Sequence, residues 1–121
     1  MIKEQREYIR LSAEGNVVLK PEDSTLRTIK ADLFDICSLG VGVCALEKIE
    51  VGIHVKFEFT IKLCDEPLVG EGKIVYANEV KKDDVRSFRM GIKFIHADDN
   101  KILNFLNVIQ HDISMKTRNK R

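Results

Sequence analysis

Tryptophan is absent from this 121-residue chain, proline occurs twice and aromatic residues make up only 7%. With seven glycines in addition, the composition excludes a collagen-like or low-complexity polymer. Cysteine is equally sparse. Cys37, Cys44 and Cys64 are odd in number and form no C-x-x-C pair, so they offer neither a disulfide framework nor zinc-ligand spacing and read as reduced thiols. His54, His96 and His111 are as scattered, and no metal or cofactor is expected. No apolar run approaches the ~20 residues that span a bilayer. The opening MIKEQREYIRL is charged where a secretory signal would be apolar, which points to a cytoplasmic protein without membrane insertion. A dominant charge is missing too: twenty basic against nineteen acidic side chains leave a net +1. Bulk electrostatics therefore names no nucleic-acid or membrane partner.

What is present is a foldable chain, 44% hydrophobic and 32% charged, long enough to bury roughly two-thirds of its unfolded surface in one domain. From Ile53 to Leu63 every odd position is apolar and every even position polar, the signature of a half-buried strand. Phe88 to Phe94 repeats it, with Phe88, Met90, Ile92 and Phe94 on one face and Arg89 and Lys93 on the other. Leu68 to Ala77 forms a third strand, in which Gly70 and Gly72 signal a bulge or bend that curves a sheet toward a barrel. Val17 to Lys20, Leu26 to Ile36 and Val41 to Leu46 bring the total to about six strands. After Phe94 the period changes. Asp98 or Asp99 can cap a helix in which Ile102, Phe105, Leu106, Ile109 and Ile113 recur at three- and four-residue steps. Strands without intervening helices exclude a βαβ nucleotide fold, and no P-loop or G-x-G-x-x-G sequence is present. G-x-S-x-G and H-E-x-x-H are also absent, so catalysis finds no support and no catalytic residue is assigned.

Two groups remain. Arg6 and Arg10 stand four apart in Arg6-Glu7-Tyr8-Ile9-Arg10, and Asp35-Ile36-Cys37-Ser38-Leu39-Gly40 marks a turn between strands. Each has an ordinary explanation: a solvated charged arm for the first, a hairpin with an acceptor carboxylate and a flexible glycine for the second. In combination they resemble the PilZ domain, the bacterial receptor module for cyclic di-GMP. That family carries R-x-x-x-R near its start and [DN]-x-S-x-x-G one strand pair later. Arg6 and Arg10 match the first; Asp35 and Gly40 match the second, with Cys37 in place of its serine. The pattern continues through Gly72-Lys73-Ile74-Val75-Tyr76, Met90 to Ile95 and the terminal helix.

The resemblance implies a mainly β fold, a six-stranded antiparallel β-barrel of the split-barrel type with one C-terminal α-helix. It divides the chain into a flexible arm (1–15) carrying R-x-x-x-R, a barrel (16–96), a helix (97–115) and a basic tail (116–121). It also implies a single-domain, non-enzymatic receptor, monomeric or weakly dimeric, with cyclic di-GMP bound by Arg6, Arg10, Asp35, Cys37 and Gly40. The arginine fork suits phosphate and guanine edges. Asp35 would accept from guanine N–H groups, and Gly40 would admit the ligand close to the backbone. A thiol at position 37 is a weaker hydrogen-bonding group than a hydroxyl, and Cys37 reads equally as a small buried apolar residue. Signalling would run through a changed surface offered to a protein partner of unknown identity. Two other readings stand beside this one: a PilZ-like interaction module that has lost the nucleotide, and a small nucleic-acid-binding barrel using Lys116 to Arg121, against which the neutral charge and few aromatics weigh. Tyr76 and Arg89 read as ordinary strand residues and stay outside the site.

Overall fold

The computed structural model describes residues 10–23 and 27–119, the last four of them in backbone only. Six strands follow one another: β1 (Leu11–Pro21), β2 (Ile29–Ile36), β3 (Gly40–Ala45), β4 (His54–Thr60), β5 (Leu68–Lys82) and β6 (Val85–Ala97). The helix α1 (Asp99–Asn119) ends the described chain. In β4 the alternation has its expected outcome, with Val55, Phe57 and Phe59 buried and His54, Lys56 and Glu58 exposed. Neighbouring strands pair antiparallel in the order β1-β2-β3-β6-β5-β4, and β4 returns to β1 to close the barrel. The mainly β architecture expected from the sequence, a six-stranded antiparallel barrel with a C-terminal helix, is the one observed.

The lumen is filled by alternate residues of every strand, among them Val17, Leu33, Val43, Phe57, Phe59 and Ile92. Phe57 and Phe59 stack with ring centroids 4.4 Å apart. Each side chain of this size buried here contributes ~1.5–3 kcal/mol. Asp98 caps the helix: its Oδ1 accepts from the N–H groups of Asn100 at 2.9 Å and Lys101 at 3.3 Å. Ile102, Phe105 and Ile109, on one helical stripe, join the core and close the barrel end at which β4 finishes. At the other end the β3–β4 connection inserts Ile49, fully buried, whose N–H donates to Met90 Sδ at 3.4 Å.

Three boundaries differ from the sequence pattern. β1 begins at Leu11, so residues 11–15, which the resemblance assigns to the arm, run as a strand paired to β2, with Leu11 opposite Ile36 and Ser12 opposite Asp35. Leu11 and Ala13 pack at the margin of the core, and a bulge between Ser12 and Gly15 masks the alternation. The β5–β6 hairpin extends to Lys82 and Val85 because Asp83 and Asp84 both take positive φ (53° and 64°), a two-residue left-handed turn. The helix continues to Asn119, beyond residue 115 and into the basic segment.

Candidate ligand-binding site

Five residues on five adjacent strands form a single row across the barrel wall: Ser12, Asp35, Gly42, Gly91 and Tyr76. The row faces outward, because Val41, Val43, Met90 and Ile92, which flank its two glycines in sequence, all point into the core. Bulges in β2, between Leu33 and Asp35, and in β5, between Ile74 and Tyr76, break the two-residue alternation. Each lets consecutive residues share the outer side: Phe34 with Asp35, and Val75 with Tyr76. The glycines are the floor on which these side chains lie. A Cβ on Gly91 would collide with the Tyr76 ring, and one on Gly42 would meet Asp35 Oδ1 and the Phe34 ring. Arg89 stands over the outer side of Phe34, its guanidinium 4.9 Å from the ring centroid, a cation–π contact.

Arg10 immediately precedes β1 and reaches this row. Its Nε donates to Asp35 Oδ2 at 3.1 Å and its Nη2 to Asp35 Oδ1 at 3.0 Å, a bidentate pair. Its Nη1 donates to Cys37 Sγ at 3.7 Å. The hydrogen bonds to Asp35 hold the guanidinium pKa above its ordinary value; partial burial opposes them, and Asp35, Cys37 and Tyr76 add smaller electrostatic contributions in the same upward direction. Arg10 is therefore a fixed cation at the lip of the glycine floor.

Of the residues singled out in the sequence, Arg10, Asp35 and Cys37 come together. Arg6 lies outside the described residues. Cys37 is 2% exposed, as its reading as a small buried residue expects, and its Sγ accepts from Arg10 Nη1, a contact the sequence did not suggest. Gly40 closes the turn through the Cys37 N–H, which donates to its carbonyl at 2.9 Å. The space left by its missing Cβ is taken by the Ile92 carbonyl, so here glycine admits the β6 backbone. Asp35 has both oxygens on Arg10. Tyr76 and Arg89, which the sequence left outside the site, lie beside it: the Tyr76 ring rests on Gly91, and Arg89 stands over the Phe34 ring, which rests on Gly42 and was not singled out in the sequence. A groove of about 870 Å³ adjoins it, sharing Ser12 and Phe34 and running to Thr60, Ile61 and Ile113 beside α1. Among the described residues no group of His, Cys, Asp or Glu side chains is placed to hold a metal ion, and no helix is long and apolar enough to cross a membrane.

No family model and no curated protein matches the sequence. Solved structures do match. The PilZ domain of YcgR from Escherichia coli, with c-di-GMP, superposes with a TM-score of 0.74 at 14% identity, over 94% of this chain and 98% of that one. The fold is PilZ-like. YcgR from Escherichia coli in complex with c-di-GMP gives a TM-score of 0.79 at 15% identity over 97% of this chain. The Bacillus subtilis inhibitor of motility, MotI/DgrA, gives 0.67 at 16% identity over 96%. The present chain spans about half the length of these last two, 51% and 53% respectively. Within the PilZ-like fold, the Asp35 to Gly40 turn joins β2 to β3 and Arg10 leads into β1.

Proposed function

We propose that this PilZ-like domain is a cytoplasmic receptor for cyclic di-GMP, bound on the outer wall where Arg10 meets Asp35. The observation that carries the reading is the fixed guanidinium at the edge of a glycine floor walled by Phe34 and Tyr76. Two similar structures described with c-di-GMP support it. A purine dinucleotide needs flat surfaces to stack on and a planar donor for its phosphate or guanine edge. The aromatic rings supply the first and Arg10 the second. Arg6, four residues earlier, is the second donor of the motif, and its engagement with ligand would change the surface that a partner protein meets. Cys37 supports Arg10 in place of the hydroxyl of the family pattern. Isothermal titration of the intact chain with cyclic di-GMP tests the proposal. Saturable heat is expected, with affinity lowered roughly tenfold to a hundredfold in Arg10→Ala, and no heat from the unsubstituted protein at tens of micromolar ligand overturns it.

A second reading has one observation in its favour: both Asp35 oxygens are already satisfied by Arg10, as in a site that is structural. The domain would then be an interaction module that does not bind the nucleotide. In that case Arg10→Ala leaves partner binding unchanged, whereas the receptor reading requires loss of its ligand dependence.

A further inference from the structure

Beside the floor lies a second row on the same outer wall, in which His54, Lys73, Lys93 and Gly40 are successive cross-strand partners on β4, β5, β6 and β3. Lys73 and Lys93 are both exposed and directly opposite each other. Cross-strand partners of this kind have Cβ atoms ~4.5–5.5 Å apart, and like charges placed so are destabilising. Among the described residues neither lysine is in an ion pair. Glu71, the acid two residues before Lys73, is opposite Lys56 instead. An unneutralised cation pair is therefore held at the rim of the floor. Lys93 follows Gly91 at the next outward position of β6, a step of ~6.5–7 Å, a distance that a flexible four-carbon lysine stem can span.

The geometry points to Lys73 and Lys93 as the phosphate-holding rim of the site. Resting on the receptor reading above, this assigns the ligand two anchors: the fork of Arg10 on one side of the glycine floor, and a paired ammonium clamp on the side facing Gly40. A phosphate between the two lysines relieves their repulsion, so the clamp acts on the bound state and is unfavourable in the free one. The two states then respond to neutralisation in opposite directions.

The experiment compares the unsubstituted chain with Lys73→Gln, Lys93→Gln, the double variant, Arg10→Ala and Lys20→Gln, an exposed β1 lysine serving as control. Cyclic di-GMP affinity is measured by titration at two salt concentrations, and thermal stability without ligand. The single rim variants are expected to weaken binding roughly tenfold, the double variant further and with a shallower salt dependence. Without ligand, their melting temperatures should be unchanged or raised, and Lys20→Gln should bind as the unsubstituted protein does. If the unsubstituted protein binds and the rim variants bind equally well, the clamp is wrong and the receptor stands. If the unsubstituted protein does not bind, the receptor reading falls and the clamp falls with it. A rim variant that melts lower without ligand overturns the claim that the pair is repulsive at rest.

Discussion

Removing the Asp35 carboxylate separates two roles that the geometry combines. The Arg10 side chain is 47% exposed and that of Asp35 20%, so the pair resembles a surface ion pair, worth ~0.2–1 kcal/mol to stability. Asp35→Ala should therefore lower the melting temperature by no more than a few degrees. Binding should suffer more. Without the two hydrogen bonds at 3.0 and 3.1 Å, the guanidinium regains rotamer freedom of ~2 kcal/mol, which ligand must then remove. That corresponds to a loss of affinity of up to about 30-fold. Titration calorimetry on Asp35→Ala, Arg10→Ala and the double variant forms a cycle. If Asp35 acts through Arg10, the double variant binds no worse than Arg10→Ala. A double variant much weaker than Arg10→Ala would show that the carboxylate touches ligand directly and would refute the positioning argument. A stability loss beyond about 2 kcal/mol would refute the surface-pair estimate.

Three further outcomes follow from neighbouring contacts. Gly91→Ala places a methyl where the Tyr76 ring lies, so the ring must swing off the floor; far-UV circular dichroism should be unchanged while cyclic di-GMP affinity falls at least tenfold, about 1.4 kcal/mol. Gly40→Ala meets the Ile92 backbone carbonyl instead. Because backbone yields less than a ring, it should destabilise the fold by about 1–3 kcal/mol in urea unfolding, with affinity lost only as the folded fraction falls. Cys37→Ser replaces the 3.7 Å sulfur acceptor of Arg10 with an oxygen of stronger hydrogen-bonding capacity, and should tighten binding by about 0.5–1.5 kcal/mol in the same titration.

The barrel was legible because its strands carry their apolar residues on one face over long stretches, as in Ile53 to Leu63, and because the change of period after Phe94 announced the helix. The site was legible only in part. Arg10, Asp35 and Cys37 stood out as a motif, but Phe34 and Tyr76 did not, because strict alternation assigns neighbouring residues to opposite faces and cannot register the bulges in β2 and β5. Val41-Gly42-Val43 and Met90-Gly91-Ile92 held the missing signal: a glycine at an outward position between two core residues marks a place where something large lies close to the backbone. The Asp83-Asp84 turn went unread because its left-handed pair lacks the glycine that usually announces it.

The bulges in β2 and β5 have an implication for how such a surface can change over evolutionary time. Inserting one amino acid into a regular ladder at such a point donates an additional side chain to solvent while the inward positions on either side, Leu33 with Ile36 and Ile74 with Ala77, keep their places. A barrel with this property can acquire or discard recognition groups through single-codon insertions and deletions, leaving its packing intact.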